Sequence, residues 1–334
     1  MNRSRKGKVL VFGILINLPI PGVTYQFLHY LIGLRKLGFD PYYVEDSSRW
    51  VYDPRLPGPN QDPSSNLADI VPILEAHGFK DRWAFRGFYE GGRCYGMSES
   101  QLLALYRDAD AFLNVTAGQE LREEHRKIPA RIYVESDPFM SQVKLAQGDA
   151  FTAEQLLAHN LHFSFGENIG SPDCDVPLDP RITWRPTRQP VALDCWEVLP
   201  PEQGSAYGTV TTWQNSDKNV SWRGETYYWT KDREFVKYLH LPKLRPGLAF
   251  EMATSVKPDI EARLRGNGWA LRDSETSSVR WLATVQGHAS EEPDTAAFRR
   301  ELPRTARPTA RALPRAAHRG DRHRPQGHPP PQGR

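Results

Sequence analysis

Residues 8–47 read KVLVFGILINLPIPGVTYQFLHYLIGLRKLGFDPYYVEDS, and this stretch decides the fold class. Residues 8–15 form a continuous apolar run, which predicts a buried strand. Residues 24–38 place leucine and phenylalanine at helical spacing, and Thr24 is the predicted N-cap of this helix. Residues 41–47 predict a second strand. A strand, a helix and a strand in this order predict two parallel strands joined by a right-handed crossover.

The basic residues before the first apolar run also resemble the start of a signal peptide. However, Asn17 and Pro19 interrupt the apolar pattern, and no small-residue cleavage site follows it. A buried first strand therefore explains these residues more simply. The three cysteines of the chain lack both disulfide-scaffold density and zinc-ligand spacing, which favours a reducing, cytoplasmic location.

The alternation of strand and helix continues along the first half of the chain. Predicted strands lie at residues 8–15, 41–47, 111–115, 131–137 and 161–168. Helices between them are indicated by two predicted capping boxes, Ser98 with Gln101 and Thr152 with Gln155. This pattern predicts an α/β domain whose parallel sheet is covered on both faces.

Ligands of such sheets bind outside the carboxyl ends of the strands, where polar loops converge. A turn residue is the competing explanation for any single polar side chain at this edge. The predicted ligand contacts there are Asn17, Gly22, Thr24, Asn114 and Asn168.

A dinucleotide cofactor is disfavoured. The Gly-x-Gly-x-x-Gly fingerprint does not follow the first strand, because Gly13 and Gly22 are separated by eight residues that include two prolines. Glu45 or Asp46 could imitate the acid that binds a ribose, so an oxidoreductase stays as a weak alternative. No bound cofactor or metal is predicted, since the Asp-x-Asp pairs at residues 108–110 and 173–175 are better explained by turns.

The composition divides the chain into four parts. We predict a first Rossmann-like domain at residues 1–170 and a proline-rich crossing at 171–205. A partial second Rossmann-like domain follows at 206–275, because strand and helix patterns recur there and then stop. Residues 276–334 are predicted to be a disordered tail rich in arginine and proline.

The net charge of +3 hides the basicity of this tail. Residues 299–334 contain ten arginines against Glu301 and Asp321. Nucleic-acid binding is disfavoured, because no aromatic side chain is interleaved with these arginines for base stacking. The abrupt loss of lysine, asparagine and isoleucine instead resembles GC-rich coding sequence read out of frame, with the frame lost between Asp273 and Ser290.

Several segments resemble a bacterial family of glycosyltransferases with two Rossmann-like domains, the GT-B arrangement. They are RCYGMSESQLLALYRDADAFLNV at 93–115, RIYVESDP at 131–138, FSFGENIG at 163–170 and, most distinctively, RGETYYWTKDREF at 223–235. The resemblance covers residues 8–273. It implies transfer of a sugar from a nucleotide-activated donor, with the acceptor in the first domain and the donor mainly in the second.

The resemblance also suggests roles for individual residues. Transfer needs a general base, for which Asp137 and Glu167 are the candidates, with His29 and His125 as alternatives. Cationic side chains can stabilise the departing diphosphate without a metal, and the candidates are Arg223 and Lys231. The aromatic run at residues 227–229 could stack on a sugar or base, or could seal an interdomain contact.

Nothing after Asp273 matches the family, so the donor domain is predicted to be incomplete and activity is in question. The expected partners are a nucleotide sugar and a small-molecule or glycan acceptor, with no membrane span. The alternative is a non-catalytic ligand-binding or interaction protein built on the first Rossmann-like domain.

Overall fold

The computed structural model describes residues 7–272 apart from 48–49, 54, 57, 59, 88–91, 196–205 and 216–217. The predicted tail at 276–334 and the proposed change of frame lie outside the described residues. The boundaries of the four predicted parts stay a prediction.

Eight strands of the described residues form one sheet. They are β1 (Lys8–Phe12), β2 (Asp40–Glu45), β3 (Trp83–Gly87), β4 (Arg93–Tyr95), β5 (Ala111–Val115), β6 (Ala130–Glu135), β7 (Leu161–Ser164) and β8 (Trp184–Pro186). Their order is β4-β3-β2-β1-β5-β6-β7-β8, and β4 runs antiparallel to β3 while the other neighbours are parallel. The order reverses between β1 and β5, as in a doubly wound Rossmann-like sheet. The predicted fold class is confirmed.

Helices cover both faces of this sheet. They are α1 (Pro21–Lys36), α2 (Ser64–Ala76), α3 (Glu99–Asp108), α4 (Glu123–Arg126), α5 (Met140–Ala146) and α6 (Ala150–Leu157). Strand β1 is buried on both sides, because Val11 belongs to one hydrophobic cluster while Leu10 and Phe12 belong to another. This double burial explains why the strand reads as an unbroken apolar run rather than an alternating one.

Two predicted helix starts are wrong. Helix α1 begins at Pro21, and Thr24 lies inside its first turn, where its hydroxyl donates to the Ile20 carbonyl over 3.1 Å. Proline fits the first position of a helix because it has no N–H to leave unpaired. Helix α6 is capped by Asp149, whose carboxylate accepts from the Thr152 N–H over 2.7 Å, so Thr152 is not the cap.

The other predicted cap is confirmed. The Ser98 hydroxyl accepts from the Gln101 N–H over 3.3 Å, and the Gln101 side chain accepts from the Ser98 N–H over 2.8 Å. These two bonds satisfy donors that would otherwise be unpaired at the start of α3.

A second, smaller parallel sheet lies in the latter part of the described chain. It comprises β9 (Tyr207–Val210), β12 (Phe250–Ala253) and β13 (Ala270–Arg272), in the order β13-β12-β9. Its core includes Trp213, Met252 and Leu264. The parallel sheet predicted for this part of the chain is thus confirmed, and its incompleteness stays a prediction.

An antiparallel hairpin and three helices accompany the second sheet. They are β10 (Val220–Trp222), β11 (Glu225–Tyr227), α7 (Asp232–Phe235), α8 (Leu241–Leu244) and α9 (Pro258–Gly266). The helix predicted for residues 231–239 is shorter than expected, because α7 gives way to a 3₁₀ turn at Val236–Tyr238. Among the described residues, no helix is both long enough and apolar enough to cross a bilayer.

Candidate functional site

A cavity of about 670 Å³ lies at the carboxyl ends of β5 and β6. The first sheet and its helices supply Thr116, Glu135, Asp137, Lys144 and His159 to its wall. The chain around the β10–β11 hairpin supplies Lys218, Tyr227, Tyr228 and Trp229. The cavity therefore combines carboxylates, ammonium groups and aromatic rings from the first sheet, its helices and the chain around the β10–β11 hairpin.

Two hydrogen bonds between the Asn114 side chain and the Gln119 backbone close the loop after β5, and together they form a clamp. The Asn114 amide donates to the Gln119 carbonyl over 2.7 Å and accepts from the Gln119 N–H over 2.9 Å. Within this loop Thr116 and Ala117 have φ of 59° and 51°, a left-handed backbone that costs non-glycine residues about 1–2 kcal/mol each. The clamp holds the loop in this strained conformation.

Gly118 belongs to the same loop and has a different constraint. A Cβ placed on Gly118 would lie 2.8 Å from the Cα of Gly13, so only glycine lets the two loops approach this closely. The strained loop is therefore fixed from two sides, by the side chain of Asn114 and by the loop after β1.

Glu135, the last residue of β6, is a buried carboxylate in the cavity wall. Only 2% of its surface is exposed. Its Oε2 accepts from the Gln142 amide over 2.7 Å and from the Ser164 hydroxyl over 2.9 Å. Its Oε1 is buried and has no hydrogen-bond partner among the described residues. Burial raises the pKa of Glu135, and the donors Gln142, Ser164 and Ser141 act in the opposite direction.

Gln142 connects this carboxylate to the hairpin. Its side-chain oxygen accepts from the Phe139 N–H over 2.7 Å. Phe139 has φ of 94°, and its ring lies 4.3 Å from the ring of Tyr227, measured between centroids. A non-glycine residue in this conformation persists only where its surroundings fix it. Gln142 and the hairpin supply that constraint.

His159 lies beside Asn114 at the back of the cavity and is neutral. Its Nδ1 donates to the Gln155 carbonyl over 2.7 Å, and its Nε2 lies 3.2 Å from the Asn114 amide nitrogen, from which it accepts. Burial lowers the pKa of His159 to about 3, because the charged form would be poorly solvated. The imidazole therefore orients Asn114, and at neutral pH it is not charged and cannot act as a general acid.

A second cavity of about 450 Å³ lies beside the first. Gly22, Tyr25 and His29 of α1 form one side of it. Ser136 and Asp137 belong to the walls of both cavities. The loop after β6 thus separates two spaces and presents Asp137 to each.

One acidic group has metal-ligand spacing. Asp46, Glu124 and His125 bring potential ligand atoms within 4.8 Å of one another. However, the Asp46 carboxylate already accepts from Arg86 and Arg122. Two guanidinium groups satisfy the carboxylate and repel a cation, so this cluster suits an internal ion pair rather than a metal.

The structure brings several predicted contacts to these cavities. Asn114 and Asp137 line the larger cavity, and Gly22 and Asp137 line the smaller one. Asn17 is buried, and its amide donates to the Glu45 carboxylate over 2.7 Å. Thr24 is likewise buried, inside α1.

The remaining predicted contacts line neither cavity. Glu167 forms a two-point ion pair with Arg188 at 2.6 and 2.7 Å, and this hydrogen bonding lowers the pKa of Glu167. The Asn168 carbonyl accepts from the Ser171 hydroxyl over 2.8 Å. Both residues lie on the exposed loop after β7.

The two predicted phosphate contacts lie between β10 and α7. Arg223 is in the hairpin turn, 3.5 Å from the Asp175 carboxylate, and Lys231 immediately precedes α7. Their predicted role in phosphate binding stays a prediction.

The sequence gives uneven signals for the cavity residues that it did not single out. Glu135 carries a readable signal, an acid that ends an apolar strand two residues before Asp137. Thr116 and His159 carry no such signal. The role of Thr116 depends on its left-handed backbone, and that of His159 depends on its contact with Asn114, which is distant in sequence.

The chain matches no protein-family model and no curated protein sequence. Several solved structures show weak similarity, and three of them are given in turn. An α-glucosyltransferase in complex with UDP and a 13-mer DNA containing a HMU base is 12% identical, with 84% of this chain and 71% of that chain covered and a TM-score of 0.41. S. aureus MnaA with UDP is 11% identical, with 82% and 71% covered and a TM-score of 0.35. The glycosyltransferase of kitacinnamycin is 14% identical, with 89% and 93% covered and a TM-score of 0.30. At these low scores none of them serves as a template for the site.

Proposed function

We propose that this chain is a glycosyltransferase-like protein of the GT-B type that binds a nucleotide sugar in the larger cavity. The observation that carries the proposal is the composition of that cavity, in which the carboxyl edge of a Rossmann-like sheet faces the aromatic run 227–229. A nucleotide sugar needs a stacking surface for its base, cations for its phosphates and polar groups for its hydroxyls. The cavity wall contains all three.

Lys144 and Lys218 are the ammonium groups best placed for a diphosphate, because both line the larger cavity. Lys218 also lies 4.7 Å from the centre of the Trp229 ring. A cation and an aromatic ring held together in this way can bind a phosphate beside a stacked base. The roles predicted for Arg223 and Lys231 would require a ligand that extends beyond the cavity.

We assign the acceptor to the smaller cavity and the proton transfer to Asp137, which faces both cavities. The acceptor hydroxyl would attack the anomeric carbon of the donor sugar while its proton passes to the Asp137 carboxylate. The bond from the anomeric carbon to the phosphate oxygen would break, and the nucleoside diphosphate would leave with the electron pair, stabilised by the ammonium groups.

Thermal unfolding in the presence of nucleoside diphosphates and nucleotide sugars tests the binding step. At least one nucleotide is expected to raise the Tm of the parent chain. Lys218→Ala should reduce this shift, whereas Lys243→Ala, which removes an exposed lysine from α8, should retain it. A panel that leaves the Tm of the parent unchanged would contradict the proposal.

The second candidate is a non-catalytic ligand-binding protein. It is favoured by the second sheet, which has three strands within the described residues. Release of nucleoside diphosphate from the nucleotide sugar that binds distinguishes the two candidates. Transfer or slow hydrolysis that Asp137→Asn abolishes supports the enzyme. Binding of a nucleotide sugar without release of nucleoside diphosphate, with any of a range of acceptors, supports the binding protein.

A further inference from the structure

Among the residues that the structure describes, two buried polar atoms in the wall of the larger cavity have no hydrogen-bond partner. They are Thr116 Oγ1 and Glu135 Oε1. A buried polar atom without a partner costs about 1–3 kcal/mol, so such atoms are rare unless something in the functional state pairs with them. The occurrence of two in one cavity wall points to a ligand.

The fold places these two residues beside each other. Strands β5 and β6 pair in parallel with Val115 opposite Val134, and the Thr116 N–H donates to the Val134 carbonyl over 2.9 Å. Thr116 and Glu135 are the next residues along the two strands. Both therefore lie at the same point of the carboxyl edge.

The structure fixes the backbone of Thr116 and the carboxylate of Glu135 through neighbouring contacts. The left-handed conformation of Thr116 is maintained by the clamp between Asn114 and Gln119. The Glu135 carboxylate is held through Oε2 by Gln142 and Ser164, which leaves Oε1 as the unpaired acceptor. Such preorganisation lowers the entropy that a ligand loses on binding.

The chemistry of the pair selects the ligand class. An ionised carboxylate only accepts hydrogen bonds, whereas a threonine hydroxyl can both donate and accept. A phosphate fits this pair poorly, because its oxygens mainly accept hydrogen bonds and so do not match an acceptor such as Oε1. Neighbouring hydroxyls of a sugar supply a donor for the carboxylate and a second group for the threonine.

We propose that Thr116 Oγ1 and Glu135 Oε1 form a subsite for a vicinal diol of a sugar ring. The assignment of this ring to a nucleotide sugar rests on the proposed function. The diol could belong to the ribose or to the transferred sugar, and these two sources share the same chemistry.

Two variants test the subsite. Glu135→Gln keeps an oxygen for Gln142 and Ser164 and removes the charge, and Thr116→Val keeps the branched shape without the hydroxyl. Glu123→Gln makes the same chemical change on the exposed face of α4 and is the matched control. Because burial raises the pKa of Glu135, Glu135→Gln should not lower the Tm at pH 7, and this measurement confirms folding.

The affinities are measured by saturation-transfer NMR and calorimetry. The probes are methyl α-D-glucopyranoside and its galacto and manno isomers, and a panel of nucleoside diphosphates with their 2′-deoxy counterparts. Each test variant should weaken the bound probe about tenfold, as expected for a lost hydrogen bond in a buried site, and the control should not. If the parent binds the 2′-deoxy nucleotides more weakly than their ribose counterparts by a similar factor, the diol belongs to ribose. If the variants weaken only the binding of pyranosides, the diol belongs to the transferred sugar.

The inference is overturned if both variants bind every probe as the parent does, or if the parent binds none of the probes. Nucleotide binding that neither variant changes would remove the subsite and leave the proposed function standing. Pyranoside binding that both variants weaken, without any nucleotide binding, would keep the subsite and remove the proposed function.

Discussion

His159 illustrates how a single buried residue links the site to the stability of the fold. It accepts from Asn114, which in turn clamps the strained loop after β5, so its neutral form is part of the site's architecture. Protonation would turn its acceptor nitrogen into a donor facing the Asn114 amide. The loop therefore depends on an imidazole that stays uncharged.

This dependence predicts a loss of stability in acid. The pKa of His159 is lowered to about 3 in the folded chain, against an ordinary value of 6.5. Below pH 6.5 the unfolded chain takes up a proton that the folded chain refuses, so stability falls by up to about 1.4 kcal/mol per pH unit. Between pH 7 and pH 5, the Tm of His159→Gln should therefore fall by less than the Tm of the parent.

The other titrating groups are common to the parent and to His159→Gln, so their contributions cancel in the comparison. If His159→Gln and the parent lose the same Tm over this range, His159 does not contribute to the acid sensitivity.

At the scale of elements, the β10–β11 hairpin carries the aromatic wall of the cavity through a tight turn. Trp222 pairs with Glu225, so the turn consists of two residues, Arg223 and Gly224, with φ of 51° and 83°. Both positive values match a type I′ turn, in which asparagine followed by glycine is preferred. Arginine is a strained choice at this position.

Arg223→Asn separates a structural role from phosphate binding. Asparagine suits the left-handed backbone, and the ion pair that is lost with Asp175 is exposed and worth about 0–1 kcal/mol. We expect a Tm equal to or above that of the parent, and a nucleotide affinity within about twofold, since Arg223 lines neither cavity. A loss of affinity as large as that of Lys218→Ala would instead support the phosphate role that the sequence predicts for Arg223.

The elements differ in how well the sequence predicts them. Strand β5 is predicted to the residue, because an apolar run lies between Asp110 and Thr116. Strands β4 and β8 have three residues each, which is too short for a period to show. At the site, polar residues near the carboxyl ends of strands are predictable, as Asn114 of β5 shows. The left-handed Thr116 is not, because its conformation depends on contacts between loops that are distant in sequence.

At the scale of the whole molecule, the two sheets differ in how completely they are buried. The central strands β1 and β5 of the first sheet have neighbours on both sides and helices on both faces. The second sheet has three strands within the described residues and one hydrophobic cluster. Its central strand β12 is therefore packed against fewer of the described elements than β1 is.

This difference predicts unequal local stability. Amide hydrogens of β12 should exchange at least about tenfold faster than those of β1, because opening the smaller sheet exposes less apolar surface. Hydrogen exchange followed by mass spectrometry measures both strands in one sample. A ligand that fills the larger cavity should slow exchange in the hairpin as well. Equal protection of β1 and β12 would show that the two sheets open as one cooperative unit.

The placement of β9 also affects how the protein behaves in concentrated solution. The first sheet ends in β4 and β8, whose brevity gives a foreign strand little to pair with. Strand β9 ends the second sheet, pairs on one side within the described residues, and exposes 62% of Tyr207 and 78% of Val210. Self-association and inclusion-body formation should therefore start at β9, and a lysine in place of Val210 is the simplest way to keep the protein monodisperse.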